Sequence, residues 1–171
     1  MHGSLPTASR RQATLYLPRP FSVMVESIRE RFNPEQFKLI RAHVTLCRED
    51  DIEDWEALAE RARGLKEIAV AVEFDSPMRD GDFVYLPYIG STAAFDELRS
   101  ELLAKSLTQL RKQSPHITLV HPRNGQCSDN MFDEILSRSQ PFTAYFEQLT
   151  LIEQINGGPW SDLATFGKNE S

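Results

Sequence analysis

Apolar and polar positions along this chain follow two rhythms. Phe21, Met24, Val25, Ile28 and Phe32 recur at helical spacing, which predicts a helix over Phe21–Phe32 with one apolar face. The same rhythm predicts a helix over Asp51–Ala62, where acids in the first turn complement the helix dipole. Two more follow, over Thr92–Ala104 through Phe95, Leu98, Leu102 and Leu103, and over Asp129–Ser137. Short stretches rich in β-favouring residues read as strands at Ala13–Leu17, Ala42–Cys47, Ile68–Phe74, Phe83–Leu86, His116–Val120, Phe142–Ile152 and Leu163–Phe166. Gly64, Asp80-Gly81 and Gly157-Gly158-Pro159 mark turns between these elements.

The order of elements occurs twice. Leu15-Tyr16-Leu17-Pro18 recurs as Val84-Tyr85-Leu86-Pro87, and His43-Val44-Thr45-Leu46 recurs as His116-Ile117-Thr118-Leu119. A polar stretch, an amphipathic helix and an alternating strand follow each His-x-Thr-Leu, as expected of an internal duplication. The expected fold class is α+β, with two pseudo-symmetric lobes, each an antiparallel sheet carrying helices on its outer face. The open sheet faces would turn toward each other around a central groove, since an uncovered sheet face must be buried or used. The expected organisation is one bilobal domain over 1–171. Lobe 1 would span about 13–76 and lobe 2 about 82–167, with a boundary near Pro77–Asp82 and a flexible N-terminus over 1–12.

The duplicated motif points to chemistry. Side chains alternate faces along a strand, so His43 and Thr45 project together while Val44 and Leu46 anchor the other side. His116 and Thr118 do the same. Burying an imidazole and a hydroxyl on each strand would demand partners for both, whereas a groove meets them with water and ligand. A pseudo-two-fold axis would set His43 opposite His116 across one site. Two opposed imidazoles suit in-line displacement at phosphorus. One neutral ring takes a proton from the nucleophile and one charged ring gives a proton to the departing oxygen. Thr45 and Thr118 would donate hydrogen bonds to the non-bridging oxygens. The chemistry needs no metal and no cofactor.

Composition narrows the partners. Nineteen Lys and Arg against 25 Asp and Glu give a net charge of −6, which disfavours gripping extended duplex nucleic acid through many phosphates. A local basic cleft for a small anion remains compatible with that total. No apolar run reaches the ~20 residues needed to span a bilayer, and the first residues lack a secretory apolar segment, so a cytoplasmic protein is expected; a monomer is the separate expectation for its assembly. Cys47 and Cys127 fit neither a disulfide framework nor a CxxC site.

The paired His-x-Thr-Leu motifs in a duplicated α+β chain resemble the two-histidine phosphoesterase superfamily, the 2′-5′ RNA ligase and cyclic phosphodiesterase group. The likeness spans about Thr14 to Phe166. It implies RNA-processing chemistry without ATP: opening of 2′,3′-cyclic phosphates to 2′-phosphates, or reversible 2′-5′ joining, on a small nucleotide or an RNA terminus. It also implies that His43 and His116 are the catalytic pair, with His43 as acid and His116 as base, and that Thr45 and Thr118 hold the phosphate.

Weaker candidates surround this core. Tyr16 and Tyr85 occupy matching places in the repeat and could stack on a base. Arg48 and Arg123 follow their motifs and could neutralise phosphate. Arg111-Lys112 could steer an anion, Glu49–Glu53 reads as a solvated loop and helix start, and His121 is assigned a surface or loop role. Two competing functions remain: a binding module that uses the groove without turnover, and a metallohydrolase built on His43, His116 and His121, which lacks metal-ligand spacing.

Overall fold

The computed structural model describes residues 7–169; His2 and the first six residues of the expected flexible segment lie outside them. The first sheet contains β1 (Ser9–Tyr16), β2 (His43–Cys47), β8 (Gln148–Ile155) and β9 (Trp160–Gly167), in the order β2-β1-β8-β9. The second contains β3 (Val70–Phe74), β4 (Met78–Asp80), β5 (Phe83–Ile89), β6 (His116–Val120) and β7 (Phe142–Phe146). There β6 pairs with one edge of β5, β4 and β3 share the other, and β7 closes the far side. All pairings are antiparallel. With helices α1 (Phe21–Phe32), α2 (Pro34–Leu39), α3 (Trp55–Arg63), α4 (Ala93–Leu103) and α5 (Asp129–Arg138), this is an α+β fold of two antiparallel sheets. None of the helices among the described residues is long and apolar enough to cross a membrane.

The sheets correct the expected lobe boundaries, because they exchange strands. β3 comes from the first half of the sequence but joins the second sheet, while β8 and β9 return from the end to complete the first. The stretch read as one strand, Phe142–Ile152, is two. Its alternation changes phase between Phe146 and Leu149, and at that break the chain leaves one sheet for the other. Glu147 marks the crossing, its carbonyl accepting from the Lys168 amide at 3.0 Å. Residues 9–12, expected to be flexible, are the first half of β1 and pair with β8 from Ser9 opposite Ile155 onward. Polar side chains at Ser9, Arg10 and Arg11 hide that pairing from hydropathy.

One apolar cluster runs through both sheets, including Leu15, Val44 and Leu46 from the first and Phe74, Leu86, Ile117 and Leu119 from the second. In it α1 packs against β6, and α4 against both β2 and β3. Phe21 at the start of α1 stacks on Phe142 of β7 at 4.4 Å between ring centroids. Each long helix therefore ties together elements from distant parts of the sequence. A short 3-10 turn, Glu49–Asp51, precedes α3, so the expected helix from Asp51 begins only at Trp55, where Asp54 caps it through the Ala57 amide.

β2 and β6 are neighbouring edge strands that do not form a ladder with each other. Arg99 of α4, 1% exposed, donates its Nε–H to the Leu46 carbonyl at 2.8 Å and an Nη1–H to the Arg111 carbonyl at 3.1 Å. Its other amino group lies 3.5 Å from the Asp51 carboxylate. Gln113 donates to the Thr45 carbonyl. Side chains from the second half thus satisfy the outer edge of β2, where unpaired backbone would otherwise be exposed. Arg99→Leu is expected to lower the unfolding free energy by about 3 kcal/mol, because it strands buried carbonyls and removes a cation beside Asp51. Urea denaturation reads this directly, and an unchanged midpoint would refute the role.

Candidate active site

The register of each motif strand decides where its side chains point. On β2, His43 lies opposite Tyr16 and Thr45 opposite Thr14; on β6, His116 lies opposite Pro87 and Thr118 opposite Tyr85. Val44, Leu46, Ile117 and Leu119 are fully buried on the other faces. A shift in register follows the motif threonine in both pairings, between Ala13 and Thr14 and between Val84 and Tyr85. Such shifts accentuate strand twist. His43, Thr45, His116 and Thr118 all line one cleft of about 590 Å3, inside the range of roughly 300–1,000 Å3 common for small-ligand sites.

Both imidazoles are held in the same way. His43 Nδ1 lies 2.7 Å from the Arg41 carbonyl, and His116 Nδ1 lies 3.0 Å from the Ser114 carbonyl. A carbonyl only accepts, so Nδ1 carries the proton in both rings and Nε2 is left to the cleft. Aromatic edges brace them from the side. Tyr16 meets His43 at 6.4 Å and 76°, while Tyr85 meets His116 at 6.0 Å and 78°. Phe83 also meets His116, at 5.9 Å and 88°. Thr14 and Thr150 spend their hydroxyls on the Val44 carbonyl and on Thr165. The hydroxyls of Thr45 and Thr118 have no such partner among the described residues.

The cleft is basic inside an acidic protein. Arg10, Arg29, Arg48 and Arg123 line it, against Glu49 and Asp50. Both acids are engaged, Glu49 with Arg10 at 3.4 Å and Asp50 with Arg111 at 2.9 and 3.1 Å. Arg29 is 1% exposed; it donates to Glu26 at 2.6 Å and to the Ile40 carbonyl at 2.8 Å, while its Nε has no partner among the described residues. Loss of hydration in the cleft, with the Arg29 and His116 charges nearby, lowers the His43 pKa from 6.5 to about 4. The hydrogen bond to Arg41 opposes that shift without cancelling it. His43 is therefore neutral at pH 7, with a free Nε2 lone pair.

The sequence profile of the 2′-5′ RNA ligase superfamily matches residues 17–158. The chain belongs to that superfamily. Solved structures agree on the fold. Escherichia coli LigT complexed with phosphate superposes with a TM-score of 0.59 at 15% identity, covering 93% of this chain and 96% of that one. The LigT complex with 3′-AMP gives 0.59 at 15%, covering 95% and 99%. A crystal structure of a phosphoesterase gives 0.59 at 14%, covering 95% and 100%. No curated protein sequence matches the chain. Family and fold together point to a phosphoesterase- or ligase-type enzyme, in line with the resemblance carried by the paired motifs.

In this superfamily member the weaker candidates fare unequally. Arg48 and Arg123 both line the cleft and are exposed there. Tyr16 and Tyr85 are absent from its lining and are not equivalent: Tyr16 sits opposite the motif histidine, and Tyr85 two residues away, opposite the motif threonine. A two-residue offset preserves the facing of every side chain, so the repeat conceals it. Tyr16 is further committed, its hydroxyl donating to Asp162 at 3.0 Å beneath the Arg41 guanidinium. Burial beside Asp162 pushes that hydroxyl well above its usual pKa. Arg111 anchors Asp50 and Asp51 rather than reaching the cleft.

His121 sits in the loop that follows β6, one of the two roles expected for it, and that loop lines the cleft rather than the outer surface. β6 ends at Val120, and the following turn redirects the ring. Asn33 holds that turn, accepting from the His121 amide at 2.8 Å and donating to the Asn124 side chain at 3.1 Å. A Cβ at Gly125 would meet Val120 Cγ1 at 2.8 Å, so the close approach requires glycine there. His121 Nδ1 accepts from the Arg123 amide, the reverse of the motif histidines, and burial with Arg123 nearby lowers its pKa. Among the described residues no three His, Cys, Asp or Glu side chains converge as metal ligands. Sequence reasoning missed Arg10, Gln12, Arg29, Gln113 and Trp160; no motif carries them, and each reaches the cleft only through tertiary packing.

Proton NMR is expected to show His43 titrating near pH 4 in the free protein, and inorganic phosphate should raise that midpoint. An unfolded imidazole takes its proton near 6.5, so the unfolded state binds more protons between pH 6.5 and 4. Stability should therefore fall as pH drops through that window, and His43→Gln should flatten this part of the slope. A His43 midpoint near 6.5 would contradict the account.

Proposed function

We propose that this protein is a metal-independent phosphodiesterase that opens the 2′,3′-cyclic phosphate of a nucleotide or RNA end to a 2′-phosphate. The observation that carries this is the matched tethering of two imidazoles, with both Nε2 atoms committed to one basic cleft beside two unspent threonine hydroxyls. Neutral His43 takes a proton from water as its oxygen attacks phosphorus. His116, protonated at Nε2, gives a proton to the departing O3′. The P–O3′ bond breaks as the new P–O bond forms, leaving a 3′-hydroxyl and a 2′-phosphomonoester. Thr45 and Thr118 donate to the non-bridging oxygens, and Arg48 and Arg123 offset their charge. With a 5′-hydroxyl in place of water, the same steps join two RNA ends 2′-5′. LigT, which shares the fold, is seen in crystals with phosphate and with 3′-AMP, ligands of the kind this cleft would take.

The roles run opposite to those implied by resemblance, where His43 is the acid. A ring with a pKa near 4 is a poor reservoir of protons at neutral pH but stands ready as an acceptor.

Turnover of 2′,3′-cyclic AMP in the presence of EDTA, with 2′-AMP as product, is the test. His43→Ala and His116→Ala should each lower kcat about 10²–10⁴-fold. The kcat/KM profile should rise through about pH 4 as His43 loses its proton. Binding without turnover would favour the non-catalytic alternative, and loss of activity in EDTA would overturn metal independence.

A further inference from the structure

A second cavity, of about 360 Å3, lies beside the catalytic cleft. Ile40 and Trp160 line both, so these two side chains form the partition between them. Phe37 and Lys38 of α2 contribute to the second cavity only. Its other charges are already matched. Arg41 donates to Asp162 at 3.1 Å and covers the Tyr16 ring, whose hydroxyl donates to the same carboxylate. Lys38 is exposed and takes part in no ion pair among the described residues. Three aromatic rings line the cavity: Tyr16 lies under Arg41, Trp160 has the Arg10 guanidinium 5.5 Å over it, and Phe37 carries no cation among the described residues. With Lys38 uncommitted, the cavity offers one open aromatic ring and one cation next to a cleft suited to a phosphoryl group.

Aromatic faces stack on any nucleobase, and a cation beside them meets the linking phosphate; this is how proteins hold single-stranded nucleic acid. We propose that the second cavity is a subsite for the nucleotide preceding the cyclic phosphate, so that the preferred substrates are oligoribonucleotide ends rather than free cyclic mononucleotides. The proposal rests on the cyclic phosphodiesterase reading. A 2′,3′-cyclic phosphate closes the 3′ end of a chain, leaving the 5′ oxygen of that nucleoside as the point where the strand continues. With the terminal nucleotide in the catalytic cleft, the strand passes the Trp160 partition. The preceding base stacks on Phe37, and the linking phosphodiester meets Lys38. A 2′,3′-cyclic phosphate requires a ribose, so the strand is RNA.

The test compares kcat/KM for 2′,3′-cyclic AMP with that for adenylyl-adenosine 2′,3′-cyclic phosphate, in the wild type, Phe37→Leu and Lys38→Ala. The mononucleotide is the reference within each variant. The wild type should favour the dinucleotide about 5- to 150-fold, since stacking one base on an aromatic ring is worth roughly 1–3 kcal/mol. That ratio should fall toward one in both variants. A wild-type ratio near one, or a ratio that survives both substitutions, overturns the subsite. If neither compound is turned over, the phosphodiesterase reading fails by itself, and calorimetry then decides the subsite. Adenylyl-adenosine 3′-phosphate should bind more tightly than 3′-AMP, and the advantage should be lost in both variants. Equal affinities in the wild type would overturn it.

Discussion

Among the described residues no strand pairs with the outer edge of β2, and the second half of the chain supplies what a strand would have given. Arg99 reaches the Leu46 carbonyl and Gln113 the Thr45 carbonyl, so side chains draw β2 alongside β6 without a ladder between them. That arrangement satisfies the edge and leaves the cleft-facing side chains of both strands free. A ladder would fix one continuous sheet; side-chain stitching lets two edge strands converge while each keeps its own sheet. The carbonyls of Arg41 and Ser114 then complete the site by claiming Nδ1 of each ring. Placement of the strands and orientation of the imidazoles are separate devices, and both are duplicated or shared across the two halves.

Electrostatics divide along the same line. The chain is acidic overall, yet the acids at the cleft are bound to Arg10 and Arg111 and leave Arg48 and Arg123 exposed to a ligand. Loss of hydration, with the buried Arg29 in the cleft wall, makes a protonated His43 costly. The two motif histidines are alike in sequence and tether but differ in register, His43 facing Tyr16 and His116 facing Pro87; loss of hydration, with the charge around it, lowers the pKa of His43. Asymmetry of environment within symmetry of scaffold is what an acid–base pair needs, since identical rings would compete for the same protonation state.

Local signals made much of this legible from the sequence. Phe21–Phe32 and His116–Val120 match their elements residue for residue because their periodicities are clean. The four motif residues were visible because strand alternation fixes facing, and duplication supplied a reason for them to meet. What stayed hidden is tertiary. The exchange of β3 for β8 and β9 leaves no periodic trace, since a strand reads alike in either sheet. α2 is only six residues long, too short for a repeat, although Pro34 at its first position was a signal. The Tyr16–Tyr85 equivalence failed because a two-residue slip keeps parity, and the place of His121 in the cleft stayed hidden because a turn held by Asn33 directs its loop there.

The central claim is that the two motifs converge on one phosphorus, and a crystal structure of the protein with 2′-AMP tests it most directly. The account predicts a phosphate between the rings, with His43 Nε2 and His116 Nε2 each about 2.6–3.2 Å from a different phosphoryl oxygen and the Thr45 and Thr118 hydroxyls on the remaining ones. A phosphate that touches one imidazole alone, or that settles outside this cleft, would contradict it.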